Sequence, residues 1–352
     1  MKLDSGIDRF NLAHKLLSVK MNVSEAITSE FFHLHPDWTT RYGEDGRRHC
    51  TADACFHIEF LAGAIEAGSP KAFVDYARWT SAMLGARGID AHTLEENLAQ
   101  LEKHISPRLL PAEQDAVSAF LAMGRQACTM QEPVSDAQPP DGPLRLTMRA
   151  FLAAILDGHR QAALGIVEEA LNKGAPHVDI YIDVISESLH AVGKLWEQNK
   201  ISVAKEHMAT AIAQYVIAMI YPRLVSSGPC RGNMVVTGVS GEQHQVGANL
   251  VADSMEANGW NVRFLGTDMP HSTILSIIED NSTDVLCIST TLVANLPSTA
   301  ELAKSVNDRL GNRAPRIVLG GTAYRHVPRF AREIGSTETM SGLRLALAAL
   351  CP

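Results

Sequence analysis

Nowhere does this sequence contain a run of about 18 apolar residues, the least a membrane-spanning helix needs. Its first residues, MKLDSGIDRFNLAHKLL, have neither a basic n-region nor a small-residue cleavage site, so no export signal is read and a cytoplasmic location is expected. Paired thiols are missing too. Cys50, Cys55, Cys128, Cys230, Cys287 and Cys351 are irregularly spaced with no Cys-x-x-Cys, which argues against a disulfide framework and a thiolate zinc site. Positive charge is scarce: 31 Lys and Arg against 39 Asp and Glu leave a formal net charge of -8. Binders of nucleic acid draw affinity from clustered cations, so nucleic acid is not expected as a direct partner.

What is present is ordinary globular material, 46% apolar and 20% charged over 352 residues, enough for two or three domains. Residues 1–131 read as an all-helical module. Ser24 is placed as an N-cap, and an amphipathic stretch from Ala54 to Ile65 carries Phe56, Phe60, Leu61 and Ile65. Further helices are expected from Pro70 to Leu84, Thr93 to Ile105 and Ala112 to Met123. Residues 132–143 concentrate Pro, Asp and Gly and read as a linker. From 144 to 228 four helices are expected, broken at Asp157-Gly158, at Gly174-Ala175-Pro176 and between Gln198 and Ser202, a four-helix bundle by element count. Ser202 caps the last, in which Met208, Ile212, Tyr215 and Met219 recur at helical spacing. Residues 229–352 change rhythm. Short apolar runs at Met234–Val239, Val262–Leu265, Val285–Ser289 and Ile317–Leu319 each precede a turn and a helix, the pattern of a doubly wound parallel α/β sheet of Rossmann or flavodoxin-like type. Its ligand site belongs at the carboxyl ends of the strands.

At the end of the first of those strands stands Glu242-Gln243-His244-Gln245-Val246-Gly247. After Gly247, 41 residues lead to Ser289-Thr290-Thr291, and 28 more lead to Gly320-Gly321. These three elements at these intervals resemble the fingerprint of the cobalamin-binding family, Asp-x-His-x-x-Gly, Ser-x-Leu or Ser-x-Thr, and Gly-Gly. The resemblance implies a base-off cobalamin with His244 as the protein ligand to cobalt, and a nucleotide tail in a slot lined by Gly247, Gly320 and Gly321, where a side chain would fill the space. It also implies that Ser289 hydrogen-bonds the buried base, with Thr290 or Thr291 lining the same slot. Glu242 replaces the usual Asp. A ligating His normally hands its other N–H to a carboxylate or carbonyl, and the longer arm leaves that role for Glu242 open.

Within the bundle, Trp196 is followed after nine residues by Glu206-His207. These three residues resemble the cobalamin-dependent light receptors that repress carotenoid genes, in which the Trp packs over the 5'-deoxyadenosyl group and the Glu holds its hydroxyls. Adenosylcobalamin is thereby implied as cofactor. Those receptors carry a His directly after the Trp, where this chain has Glu197, so their bis-histidine photoproduct does not form in the same way and His190 or His207 remains as a substitute.

Those receptors also begin with a basic DNA-binding module, whereas residues 1–140 here hold 13 Lys and Arg against 19 Asp and Glu. Within 25 residues fall His33, His35, Tyr42, Arg47, Arg48, His49, Asp53 and His57. Arg47 and Arg48 are donors suited to propionates, and Asp53 and His57 are spaced i, i+4 on one helix face. With Arg41-Tyr42-Gly43, Cys50, Phe73, Tyr76 and Trp79, this pattern resembles the globin-like module of the photocobilins, which pair a bilin-binding domain with an adenosylcobalamin-binding one. Biliverdin at Tyr42, Arg47, Arg48, Asp53 and His57 is what the resemblance implies; a helical dimerisation or signalling module is the competing reading.

The expectation is therefore a light sensor of mixed fold: a globin-like all-α module, a four-helix bundle and an α/β cobalamin-binding domain. It is expected to form a homo-oligomer, dimer or tetramer, to signal to a separate protein and to have no catalytic residues. Two other readings compete, a corrinoid methyl carrier of a methyltransferase system and a cobalamin-sensing adaptor that works without light.

Overall fold

The computed structural model describes residues 6–130, 142–224, 230–280, 282–340 and 342–351. Most of the expected linker, residues 132–141, lies outside them. The chain divides into two compact units. The first comprises Met1–Glu132 together with Thr290–Ser305 and Thr322–Gly335. The second holds Pro133–Ser289, Val306–Gly321 and Ser336–Pro352.

Six helices fill most of the first unit: α1 (Arg9–Ser18), α2 (Lys20–Leu34), α3 (Pro36–Glu66), α4 (Pro70–Ala86), α5 (Ala91–Ile105) and α6 (Pro111–Cys128). Local chemistry sets several starts. The Asp8 carboxylate accepts from the backbone N–H groups of Phe10 and Asn11, Ser69 caps α4 ahead of Pro70, Asp90 caps α5, and Glu113 accepts from the Leu110 N–H at 2.8 Å. Ser24, expected as a cap, instead lies inside α2 and is fully buried. The turn signal at Ser24 loses to the continuing apolar face of Val23, Ile27 and Phe31, which packs inward. The long α3 kinks at Gly43, whose φ of 59° and ψ of -152° are open to glycine. Phe56, expected on the apolar face of α3, is exposed, while Ile58, Leu61 and Ile65 are buried with Leu12, Leu16, Phe73 and Phe120.

One contact in this unit is unusually close. A Cβ built on Gly63 of α3 would lie 2.0 Å from the carbonyl oxygen of Val293, so only glycine lets the helix approach that segment.

The second unit begins with the bundle: α7 (Arg145–Leu156), α8 (Arg160–Asn172), α9 (His177–Asp179), a π-helical turn (Ile180–Ser186) leading into α10 (Glu187–Glu197), and α11 (Val203–Ile220). Ser202 caps α11 as expected, accepting from the Lys205 N–H. The bundle core of Phe151, Ile155, Val167, Tyr181, Val184, Ile212 and Val216 also takes in Leu250 of the next domain.

After the bundle come β1 (Asn233–Val239), α12 (Val246–Ala257), β2 (Asn261–Met269), α13 (His271–Asp280), β3 (Val285–Ser289), α14 (Leu296–Leu310), β4 (Arg316–Gly320), α15 (Ala323–His326), α16 (Phe330–Glu333), β5 (Glu338–Met340) and α17 (Leu343–Leu350). The strands form one parallel sheet in the order β2-β1-β3-β4-β5. That is the flavodoxin-like order, and its topological switch lies between β1 and β3. Four strands were legible as apolar runs. The fifth was not, because Glu338, Thr339 and Met340 show neither alternation nor a run.

Bundle and sheet are joined by polar ties as well as by Leu250. The Tyr181 hydroxyl donates to Asp253 at 3.0 Å, the Tyr221 hydroxyl to Glu256 at 2.6 Å, and Arg344 reaches Asp179 at 2.7 Å and Asp183 at 3.0 Å.

Candidate functional site

The loop after β1 is shaped before any ligand is considered. Gly241 turns with φ 88°, and its N–H donates to the Asp268 carboxylate at 2.7 Å, tying the loop to the end of β2. The chain then turns so that Glu242 points inward with no solvent exposure. One of its oxygens, Oε1, accepts from the His244 backbone N–H at 3.0 Å and lies 2.7 Å from the same residue's Nδ1. The longer carboxylate arm thus still reaches the imidazole. Room for it comes from Gly238, where a Cβ would sit 3.2 Å from the Glu242 Cγ and 2.8 Å from the Thr267 methyl.

With Nδ1 held, Nε2 is the ring atom left to bind a ligand, and the His244 side chain is 52% exposed. Across the sheet, Gly238 pairs in register with Ser289, and Ser289 with Gly320. Three small residues therefore stand in a row at the carboxyl ends of three adjacent strands. Gly321 takes φ 106°, and a Cβ on Gly247 in the first turn of α12 would meet nothing within 4 Å. Gly238 was not singled out from sequence; a glycine inside an otherwise β-branched strand was the available signal.

Thr290 and Thr291 belong to the first unit. The Thr290 hydroxyl is buried, 2.9 Å from Thr299 Oγ1 and 3.5 Å from the Tyr324 hydroxyl. The Thr291 carbonyl accepts from Thr322 Oγ1 at 3.0 Å.

On the bundle, Trp196 is half-buried in the last turn of α10, and Glu206 lies in the first turn of α11. Glu206 Oε1 accepts from Thr210 Oγ1 at 3.0 Å and its other oxygen contacts His207 Nδ1. His190, on α10, pairs with Glu187 at 3.4 Å. A groove of about 220 Å³ between α11, α12 and β2 is lined by Gln214, Gln245, Val246, Asn249 and Phe264. Another of about 330 Å³ includes Asp253, whose pKa burial pushes up to about 6, with Glu256 and Tyr221.

The residues selected in the N-terminal module have different surroundings. Tyr42 packs on Trp38 at 4.9 Å, the Arg47 guanidinium stacks 4.7 Å over Phe32, Arg48 is exposed and pairs with Asp45, and Asp53 is exposed. His57 is buried, its Nδ1 2.7 Å from the Tyr76 hydroxyl, and burial lowers its pKa to about 4. Tyr76 in turn stacks on Phe60 at 3.8 Å.

Among the described residues no group of three or more His, Cys, Asp or Glu side chains could hold a bare metal ion. A single oriented imidazole beside a row of glycine and serine instead fits a metal already caged by a macrocycle. The comparisons with known proteins agree. Residues 232–340 match the family model described as B12 binding domain, and residues 147–221 match a second model with that description. Methionine synthase of Mycobacterium tuberculosis is 28% identical over 176 residues, 48% of this chain, but the match spans 14% of that enzyme's length. A corrinoid protein of Desulfitobacterium hafniense is 22% identical over 52% of this chain and 86% of its own. The methanol–corrinoid protein of Methanosarcina barkeri is 23% identical over 63% of this chain and 84% of its own. The solved monomethylamine corrinoid protein of Methanosarcina barkeri shares the fold, with a TM-score of 0.52 at 20% identity over 59% of this chain and 98% of that one.

The bundle and the parallel α/β domain together thus have the fold of corrinoid proteins. This chain is a cobalamin-binding protein. No helix among the described residues is long and apolar enough to cross a membrane.

Proposed function

We propose that the chain is a light sensor that binds adenosylcobalamin base-off, with His244 Nε2 as the ligand to cobalt, and signals by a change of conformation or assembly. Bound adenosylcobalamin supplies a cobalt–carbon bond that light cleaves. Glu242 holds the imidazole's tautomer and direction, and Gly238, Ser289, Gly320 and Gly321 leave the carboxyl edge of the sheet open for the displaced nucleotide tail. The carrying observation is the pair on the bundle: a half-buried Trp196 at the end of α10 and, at the start of α11, a Glu206 carboxylate braced by Thr210 and His207. An aromatic plane and a fixed acceptor suit a nucleoside, which stacks through its base and donates through its ribose hydroxyls. A homo-oligomer and a separate protein partner carry the output in this reading.

A second reading, a methyl-carrying corrinoid protein, is favoured by the names of two relatives, a corrinoid protein and a methanol–corrinoid protein. The two separate by affinity and light. The sensor requires adenosylcobalamin to bind more tightly than methylcobalamin, Trp196→Ala or Glu206→Ala to erode that preference, and the size-exclusion profile of the loaded protein to change after green light. Equal affinities and one profile in dark and light would sink the sensor and leave the carrier.

For the N-terminal helices we propose biliverdin as a second chromophore, supported by the aromatic set in which Phe60, Phe73 and Trp79 surround Tyr76, itself 2.7 Å from His57 Nδ1. The full chain is the material for that test, because the compact unit holding these helices also includes Thr290–Ser305 and Thr322–Gly335. A red-shifted, sharpened band on mixing with biliverdin supports the second chromophore; an unchanged free-pigment spectrum removes it.

A further inference from the structure

Gln214 on α11, Gln245 directly after His244 and Asn249 in α12 line one groove with Val246 and the ring of Phe264. No charged side chain lines it. Among the described residues none of the three side-chain amides is engaged in a hydrogen bond, although each offers two N–H donors and an acceptor oxygen. Other side-chain amides of this unit are engaged within the protein: Asn258 donates to the Ser254 carbonyl at 2.8 Å and Asn261 to the Asn233 side chain at 2.7 Å. Three free carboxamides against an apolar wall make a surface that pairs with other neutral amides, N–H to O and O to N–H, and that offers no cation to a carboxylate.

Cobalamin presents that chemistry. The rim of its corrin ring carries acetamide and propionamide arms, and hydrolysis of one arm replaces an N–H donor by a charge. A carboxylate in a groove of this kind loses its donor contacts to the amide oxygens and must be desolvated without a counter-ion.

We propose that the Gln214, Gln245 and Asn249 groove reads the amide arms of the corrin rim and so selects fully amidated corrinoids over their hydrolysed forms. This rests on the cobalamin reading and deepens it, since Gln245 adjoins the ligand histidine.

The experiment titrates the full-length protein with cobalamin and, separately, with its b-, d- and e-monocarboxylic acids, following the base-off absorption change. At least one acid should bind roughly tenfold or more weakly than cobalamin, the scale expected when a polar contact is left unpaired. In Gln214→Met with Asn249→Leu, near-isosteric and unable to donate, cobalamin affinity should fall and that ratio should shrink to within about twofold, with the base-off spectrum at saturation retained. Gln245→Met, at an exposed position, is the second variant should the first misfold, and the same loss of ratio is expected of it. Three acids bound as tightly as cobalamin, or variants that keep the wild-type ratio, would overturn the groove while leaving His244 as ligand. Binding with the benzimidazole still on cobalt would instead overturn the His244 reading, and no binding at all would overturn both.

Discussion

His244 Nδ1 and the Oε1 of the fully buried Glu242 are 2.7 Å apart, and the same oxygen also receives the His244 backbone N–H at 3.0 Å. The imidazole is therefore aimed by a carboxylate that cannot itself turn away into water. His244→Ala is expected to abolish the base-off absorption signature of bound cobalamin. Glu242→Gln should keep that signature but weaken binding by about 10- to 100-fold, the usual effect of removing a ligand histidine's partner. Titration followed by absorption checks both, and an unchanged spectrum in the alanine variant would remove His244 from its role.

Glu66 in α3 is buried, and burial, reinforced by Glu301 and opposed by Arg9, raises its pKa from 4.5 to about 8. Above pH 4.5 the unfolded chain releases this proton while the folded one keeps it, so the folded state loses stability as pH climbs toward 8, by up to about 1.4 kcal/mol per unit. Glu66→Gln should leave stability near pH 4 unchanged and raise it near pH 8, read from denaturant midpoints across that range.

His57 acts in the opposite direction. Its pKa falls from 6.5 to about 4 through burial, so between those values the unfolded chain binds a proton that the folded chain refuses, and stability drops as pH falls. Between pH 4.5 and 6.5 the contributions of these two groups therefore oppose one another. In His57→Gln, which can still bond the Tyr76 hydroxyl, stability between pH 4.5 and 6.5 should fall more steeply with rising pH than in the parent. A variant that keeps the wild-type profile would show that His57 is not the group refusing the proton.

Two glycine substitutions should move stability in opposite directions. Gly63→Ala forces a methyl to within 2.0 Å of the Val293 carbonyl, where backbone must yield to backbone, and is expected to cost about 1–3 kcal/mol. Gly165→Ala, exposed in α8 with nothing within 4 Å of the added methyl, should gain about 0.5–1 kcal/mol from helix propensity. Thermal melts of the two variants, compared with the parent, test the pair.

Much of the candidate site was legible because its signals are local. Gly241, Glu242, His244 and Gly247 form one turn and one helix start, and the intervals to Ser289 and Gly320 are set by whole β-α units of ordinary length. What sequence reading missed at the site, Gly238 and the amide groove, depends on partners distant in sequence: Gly238 matters through its pairing with Ser289 and its clearance for Glu242. Gln214 of the bundle lines the same groove as Gln245 and Asn249 of the α/β domain.

The sequence by itself determined the helix starts at Ser202, the four apolar strands and the spaced cobalamin fingerprint, since a cap, an apolar run and a turn each depend on a few neighbouring residues. Only the tertiary structure decided that Ser24 is buried, that Phe56 faces outward, that Glu338–Met340 completes the sheet, and that Thr290–Ser305 and Thr322–Gly335 cluster with the N-terminal helices. The physical reason is that burial sums many weak contacts between segments hundreds of residues apart, such as Arg9 with Glu333 at 2.6 Å and Phe10 with Phe330 at 6.2 Å, and no local window of sequence contains both partners.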